Sequence, residues 1–386
     1  MRKNKFDKAK ILIFPIINII FFIMISSFGQ MFMMEIGLSF IIALVLIIVL
    51  ILNMKRVPTK ILLIYFILII YTLIETIGKN NFYLWTISIF TIAASFSLLR
   101  LELTDEEWKK SFFITALFSM IVVWLYGKKI ILTNWNSNSI AMFSMLGIMG
   151  YIPSFNLEKK KKRKIFISIM IIISIYVLYV TDSRNSLLMF LIAFVSSLFV
   201  KQLLNNKLLV KGYAILGLLI SGIVGELANA INKSEFGKKM ALFSKNVFEK
   251  GTLFSDRENF WIRCKNYIGD DWLLGTGNSL YKKMYSHNMF YSAIYSYGII
   301  GYTIYVVLIY QIIKYILKYI NKDVLSINCI LIFIAILFGQ ITENLLFTSD
   351  TTIFLPYMYL SIGLKRAIKN KEKINEENNN IHTNIQ

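Results

Sequence analysis

The chain has 386 residues, 56% of them hydrophobic, and a mean hydropathy of +0.62, which is more apolar surface than a water-soluble domain hides. Its formal net charge is +20, from 42 Lys and Arg against 22 Asp and Glu. These cations lie in short clusters between apolar stretches, a pattern that indicates membrane topology rather than nucleic-acid binding.

Uncharged stretches recur along the chain at about the length needed to cross a hydrocarbon core of roughly 30 Å. Only helices satisfy every backbone group internally at this length in lipid, so the predicted fold class is an all-α polytopic integral membrane protein. Twelve transmembrane helices are predicted, near residues 11–27, 33–53, 61–78, 82–99, 111–127, 138–154, 165–181, 186–200, 208–229, 288–313, 324–343 and 351–365.

The basic residues set the predicted orientation of these helices. With the N-terminus inside, the inner segments carry 28 of the 42 cations, and the cluster Lys159–Lys164 is the strongest inward signal. The short outer loops carry four cations, and the other ten lie on one long loop, which the positive-inside rule largely discounts. Both termini are therefore predicted to be cytoplasmic, in a multi-pass membrane protein.

Four regions follow from this topology. Residues 1–229 hold the first nine transmembrane helices, and residues 288–368 hold the last three. Residues 230–287 form the long extracytoplasmic loop, predicted to contain short amphipathic helices. Residues 369–386 are polar and Asn-rich, and we expect a disordered cytoplasmic tail there.

One helix of the long loop is predicted in more detail. Ser255 and Glu258 have the spacing of a capping box, which predicts a helix from about Asp256 to Ile268. Within it, Arg257 and Arg263 point about 120° apart at about 100° per residue, so one face cannot easily present both. Arg257 instead shares a face with Trp261, an aromatic ring suited to stacking on the guanidinium or on a sugar.

Arginine is scarce in this chain, with eight residues against 34 lysines, yet three arginines fall on the predicted outer side. Arg184 occupies the tight turn between the seventh and eighth spans. Its planar guanidinium suits a phosphate better than lysine does, but pairing with Asp182 or anchoring at the membrane border are equally ordinary uses. Arg257 is the stronger candidate on the long loop, whereas Arg263 also fits a solvated surface charge.

His287 stands where the long loop re-enters the membrane, and it is the only histidine before the tail. An imidazole at the water–lipid border can act as a general base, although a histidine bonded to a backbone carbonyl is an equally simple interpretation. Glu343 is a second candidate base, or a counterion for one of the arginines. Neither a metal-ligand cluster nor a nucleotide-binding glycine motif occurs, so no cofactor is predicted.

These residues together resemble the O-antigen ligase and polymerase superfamily, which includes the Wzy-type polysaccharide polymerases. The resemblance extends over about residues 165–315 and lies in the order and topology of a few short motifs. They are Ser183-Arg184 opening a span, Arg257-x-x-x-Trp261 on the long loop, Leu274-Gly275-Thr276-Gly277, and His287-Asn288-x-Phe290 followed by Gly298 and Gly301.

The resemblance implies a metal-independent, membrane-embedded glycosyltransferase of the GT-C-like type, in the bacterial cytoplasmic membrane. Its donor would be a growing glycan on undecaprenyl diphosphate, and its acceptor a repeat unit on the same lipid. Arg184 and Arg257 would hold the diphosphate, and His287 would deprotonate the attacking hydroxyl. Arg263, Trp261, Asn288 and Glu343 are assigned to substrate binding, and a chain-length regulator and a flippase are candidate further partners.

Several alternatives stay open. A glycan ligase shares the same motifs, and only the Lys, Ile and Asn bias, typical of AT-rich and often Gram-positive genomes, favours surface-polysaccharide polymerisation. A lipid-linked oligosaccharide flippase would place cations within the spans, and here the deep spans lack arginine. A non-catalytic assembly partner would tolerate the loss of His287.

Overall fold

The computed structural model describes residues 9–25, 38–127, 137–181, 183–248, 253–254, 256–280, 286–320, 322–347 and 354–383, and this part of the chain contains helices but no strand. The α-helices are α1 (Ile13–Ile25), α2 (Leu38–Asn53), α3 (Thr59–Ile77), α4 (Phe82–Ala93), α5 (Asp105–Gly127), α6 (Ser137–Ile148), α7 (Tyr151–Leu157), α8 (Lys161–Val180), α9 (Arg184–Leu198), α10 (Val200–Asn205), α11 (Lys207–Lys233), α12 (Glu235–Phe248), α13 (Arg257–Ile268), α14 (Met289–Tyr319), α15 (Val324–Gly339) and α16 (Leu355–Thr383).

Many of these helices are suited to a membrane by length and composition. Within the described residues, six helical segments are long and apolar enough to cross one, namely Thr59–Ile77, Asp105–Tyr126, Ile140–Leu157, Lys161–Val180, Lys207–Lys233 and Met289–Tyr319. Four further helices are apolar but shorter. The chain is therefore built as an integral membrane protein, while the count of twelve spans and their orientation remain predictions; parts of the first, second and twelfth predicted spans lie outside the described residues.

Helix α15 is the centre of the bundle. Nearly all of its side chains are buried, and it packs against α7, α9, α11 and α16. A helix that is apolar all round is stable only when protein or lipid surrounds it, and here its neighbours provide that environment. Because α15 is fixed on every side, the segment that follows its last residue, Gly339, leaves the core at a defined point.

Helix α14 is interrupted at Gly298, where the backbone has φ 64° and ψ 179°. The segment 273–277 lies against this break: Thr276 donates its backbone N–H to the Tyr295 carbonyl at 2.7 Å, and Gly277 donates to the Ser296 carbonyl at 3.0 Å. A Cβ on Gly298 would stand 2.1 Å from the carbonyl oxygen of Leu273. The span predicted as one continuous helix is thus two helical pieces, because the loop backbone occupies the space of a side chain.

The predicted long loop contains two helices that are bound to the bundle. Helix α11 extends to Lys233, and Ser234 then caps the start of α12 by accepting from the backbone N–H of Gly237 at 3.0 Å. Helix α13 is held to α11 by an ion pair of 2.5 Å between Lys265 and Glu226. A small second core, centred on the fully buried Trp261, seals α13 against α11 and α14.

The predicted disordered tail differs from the structure, in which α16 continues as a helix to Thr383. Its first polar turns are anchored to the bundle: Arg366 pairs with Asp323 at 2.5 Å, and Asn370 donates to the Tyr319 carbonyl at 3.2 Å. The following Lys and Glu residues have good helix propensity, so a helix that is already nucleated extends through them.

The Gly298 break gives a test of the fold. Gly269 serves as the comparison for backbone strain alone, because it has φ 49° and open space around the position of a Cβ. We expect Gly269→Ala to destabilise the protein by about 1–3 kcal/mol. Gly298→Ala should cost more, because its Cβ also collides with the Leu273 carbonyl. Gly212→Ala, in helical backbone with nothing within 4 Å, is the control and should leave stability unchanged or slightly raised.

The measurement is the apparent thermal midpoint of each purified variant in detergent, followed by tryptophan fluorescence. A Gly298→Ala midpoint equal to that of the Gly212→Ala control would contradict the described packing of the loop on α14.

Candidate functional site

A cavity of about 660 Å³ lies where the start of α9, the length of α12, the start of α13 and the segment after α15 meet. It collects four of the residues that the sequence singled out, although they are far apart along the chain. Those four are Arg184, Arg257, His287 and Glu343.

Arg184 is the first residue of α9, and its Nη1 donates a hydrogen bond to Ser244 Oγ of α12. The neighbouring Asn185 donates from Nδ2 to the Gly339 carbonyl at 3.0 Å, which ties the start of α9 to the end of α15. This places the guanidinium at the cavity wall between two helices. Asp182, the alternative partner considered from the sequence, lies outside the described residues.

Arg257 opens α13 and forms an ion pair with Glu343, whose Oε1 is 2.8 Å from Nη2. The two side chains are only 16% and 12% exposed. A cation and a carboxylate this deeply buried cost free energy unless each has a partner, so the pair compensates both charges. Of the two roles considered for Glu343, the structure places it as the counterion of an arginine.

His287 lies beside the same carboxylate. Its Nδ1 is 3.7 Å from Glu343 Oε2, and the Phe260 ring meets the imidazole edge to face with centroids 6.1 Å apart. The backbone of His287 has φ 51°, in the left-handed region that a non-glycine residue adopts at a cost of roughly 1–3 kcal/mol. The surrounding contacts therefore hold this histidine in one place against its backbone preference.

Asn288 fixes the position of His287. Its Oδ1 accepts from the backbone N–H groups of Phe290 and Tyr291 and so caps α14, while Nδ2 donates to the carbonyls of Ser221 and Ile341 at 3.0 Å each. Asn288 is fully buried and does not line the cavity. Its predicted assignment to substrate binding is therefore replaced by a positioning role, because both polar atoms of its side chain are bonded to protein backbone.

Gln340 braces the other side of the site in the same way. Gln340 is fully buried, and its side-chain Oε1 accepts a hydrogen bond from the backbone N–H of Leu345 at 2.8 Å. Its backbone carbonyl accepts a second hydrogen bond from the backbone N–H of Met289 at 3.2 Å. The segment that carries Glu343 is thereby tied to the start of α14, which follows His287.

Trp261 and Arg263 do not reach the cavity. Trp261 is 1% exposed, packs on Phe254 and donates from Nε1 to the Ser286 carbonyl at 3.0 Å. Stacking on a sugar is excluded by this burial, because the ring faces the small second core. Arg263 is exposed on the other side of α13, as the angular argument predicts for two arginines six residues apart.

The described residues contain only one member of the predicted capping box, Glu258. Ser255 lies outside them, and the N-cap position of α13 is Asp256. The Glu258 side chain is used differently from a capping box, since its Oε1 accepts from Asn232 Nδ2 of α11 at 2.9 Å. Glu258 therefore joins two helices, and the predicted start of α13 is correct to one residue.

The wall contributed by α12 was missed by the sequence prediction. Met240, Phe243 and Val247 line the cavity, and Ser244 meets Arg184 from the same helix. The spacing of these three apolar residues by three and four positions is the signature of an amphipathic helix, so the signal was present. Much of the remaining wall is also apolar, from α9 and from the segment 253–260.

The charges in the cavity favour an anionic ligand. Among the described lining residues, two arginines face one glutamate, an excess of one positive charge when His287 is neutral. Among the described residues, no group of three His, Cys, Asp or Glu is placed to hold a metal ion.

Burial raises the pKa of the Cys264 thiol on α13 to about 12, so this cysteine is protonated and is a poor nucleophile.

The two functions of the Asn288 side chain can be separated by mutation. Asn288→Ala removes the helix cap and both carbonyl contacts, so we expect a loss of about 2–4 kcal/mol and an inactive protein. Asn288→Ser keeps a capping oxygen but loses the contacts to Ser221 and Ile341. Its apparent thermal midpoint should lie between those of Asn288→Ala and the wild type, and equal midpoints for all three proteins would contradict the assignment.

The comparison with known protein families gives one match. The family model described as O-antigen ligase matches residues 169–306, which is less than half of the chain and contains Arg184, Arg257 and His287. No curated protein matches the chain. The family match supports placing this chain in the O-antigen ligase and polymerase superfamily, with a function of the membrane glycan ligase or polymerase type.

Proposed function

We propose that this protein is a membrane glycosyltransferase that polymerises undecaprenyl-diphosphate-linked oligosaccharide repeat units into capsular or other surface polysaccharide. The observation that carries the proposal is the convergence of Arg184, Arg257 and His287 on one cavity, from three separate chain segments. The matched family region contains all three residues. The site is assigned to the outer face of a bacterial cytoplasmic membrane, following the predicted topology.

The cavity suits a donor that has an anionic head and an apolar tail. Its volume of about 660 Å³ lies within the range of roughly 300–1,000 Å³ that is common for small-molecule sites. The guanidinium groups of Arg184 and Arg257 are the fork-shaped donors that recognise phosphate oxygens. The apolar residues of α9 and α12 offer a surface for the first isoprene units of the lipid.

In the proposed reaction, a hydroxyl of the acceptor sugar attacks the anomeric carbon of the donor glycan. His287 accepts the proton of that hydroxyl as general base. A new glycosidic C–O bond forms while the bond between the anomeric carbon and the diphosphate oxygen breaks, with inversion at that carbon. The departing undecaprenyl diphosphate carries the negative charge, which Arg184 and Arg257 stabilise as it develops.

A second candidate function is that of an O-antigen-ligase-like glycan ligase, and the description of the matching family favours it. The same cavity and the same chemistry would then transfer a finished glycan to a different acceptor. The two functions differ in the acceptor and not in the donor, so the residues of the diphosphate site serve both. Chain-length regulators and a flippase are proposed partners of the polymerase.

The proposal predicts the behaviour of variants in the cavity. His287→Ala and Arg257→Ala should each lower the amount of polymer by at least about a hundredfold, because a positioned general base alone contributes roughly that much. Arg257→Lys should fail as well, since a lysine keeps the charge but loses the two-pronged geometry. The measurement is the amount and size of surface polysaccharide in a deletion strain complemented with each variant, with membrane protein levels matched by immunoblot.

Arg263 offers a matched control, since it lies on the same helix as Arg257 but outside the cavity. Arg263→Lys and Arg263→Ala should leave the polymer near the wild-type amount. Normal polymer from His287→Ala or Arg257→Ala would remove that residue from the mechanism, and loss of polymer in the Arg263 variants would show that the cavity is not the whole site.

A further inference from the structure

The carboxylate of Glu343 is shared between the two groups to which the proposed reaction gives different tasks. One oxygen, Oε1, is 2.8 Å from Arg257 Nη2, and the other, Oε2, is 3.7 Å from His287 Nδ1. The first distance is that of a charge-assisted hydrogen bond, whereas the second exceeds the roughly 2.7–3.2 Å of an N–H···O bond. Glu343 is therefore closer to the arginine than to the histidine.

An anionic ligand would compete with Glu343 for Arg257. Both the carboxylate and a diphosphate bind the same planar array of N–H donors, and the diphosphate carries the greater charge. In the structure the carboxylate is 12% exposed and the neighbouring imidazole 30%, so the two groups stay side by side when Arg257 turns to the ligand. His287 Nδ1 is 3.7 Å from the second carboxylate oxygen, so a short movement of Glu343 brings this nitrogen within hydrogen-bond distance.

We propose that Glu343 is an exchangeable counterion that couples occupation of the cavity by a diphosphate to the positioning of His287. The ligand takes Arg257, and the carboxylate of Glu343 closes the 3.7 Å gap and accepts the Nδ1–H of His287. The imidazole is then fixed in the tautomer whose Nε2 carries no proton and can accept one from the sugar hydroxyl. Glu343 is thus a positioning residue, and this inference rests on the proposed function of the cavity.

Among the described lining residues, the charged or titratable groups besides Arg257, His287 and Glu343 are Arg184 of α9 and Tyr179 of α8. Helix α12 contributes Met240, Phe243, Ser244 and Val247 to the lining, none of which is charged. Glu343 is therefore the one carboxylate among the described lining residues that can exchange between a cation and the imidazole.

Binding of farnesyl diphosphate to the full-length protein in detergent, measured by isothermal titration calorimetry, tests the exchange. Glu343→Gln removes the competing charge, so we expect it to bind this probe about tenfold more tightly than the wild type, while polymer formation falls at least about tenfold. Glu226→Gln is the matched control, because Glu226 pairs with Lys265 at 2.5 Å outside the cavity. It should bind farnesyl diphosphate as the wild type does.

The chain has only two histidines, His287 and His382, which makes the second step observable by nitrogen NMR of histidine-labelled protein. In the wild type, farnesyl diphosphate should move the His287 signal to the Nδ1–H tautomer and leave His382 unchanged. In Glu343→Gln the tautomer should not respond to the probe. Glu343→Asp keeps the charge on a shorter side chain and should retain a reduced response, which provides a second variant if the glutamine protein is unstable.

The outcomes distinguish a failure of the proposed function from a failure of the proposed exchange. A wild type that does not bind farnesyl diphosphate overturns both the proposed function and this inference. A wild type that binds the probe, with a Glu343→Gln variant that binds it equally or more weakly, overturns only the exchange. A His287 tautomer that ignores the probe in the wild type overturns the positioning step.

Discussion

The site depends on a set of buried amide hydrogen bonds at the start of α14. The side chain of Asn288 binds backbone groups of α11, of α14 and of the segment after α15, and Gln340 joins the last two again. Buried side-chain amides satisfy several backbone groups at once, and in a membrane-embedded core each such group would otherwise be costly. These bonds fix the backbone next to His287 and Glu343, so the two side chains are held relative to each other although both residues lie outside helices.

The electrostatics of the cavity follow from that arrangement. Arg257 and Glu343 are buried as a pair, and Arg184 of α9 contacts Ser244 of α12. A buried cation needs a counterion when no ligand is present, but too strong a counterion would keep an anionic substrate out. Glu343 can serve as the counterion of Arg257 and still give way to a ligand, since the imidazole of His287 lies beside the carboxylate as a second partner. The ion pair is therefore interpreted as preparation for a ligand rather than as a source of stability, which buried pairs rarely supply.

Much of this architecture could be predicted from the sequence, and the exceptions have physical causes. The membrane class follows from apolar length, and Arg184, Arg257 and His287 could be chosen because arginine and histidine are rare where lysine meets the need for charge. Trp261 could not be assigned correctly, because helical periodicity gives its face but not whether protein or ligand covers that face. The break at Gly298 depends on the Leu273 carbonyl, which is distant in sequence. The helical tail depends on contacts with Asp323 and the Tyr319 carbonyl. A local sequence pattern predicts neither feature, because both depend on tertiary contacts.

The central claim is that the cavity joins glycans carried on a lipid diphosphate, and the lipid-linked glycans of a deletion strain test it most directly. They would be extracted and sized by mass spectrometry beside the wild type and beside the strain complemented with the intact gene. The account predicts single repeat units that accumulate on the outer leaflet and disappear on complementation. Full-length chains retained on undecaprenyl diphosphate would indicate a ligase instead. Single repeats trapped on the inner leaflet, or an unchanged lipid-linked pool, would contradict a transferase at this site.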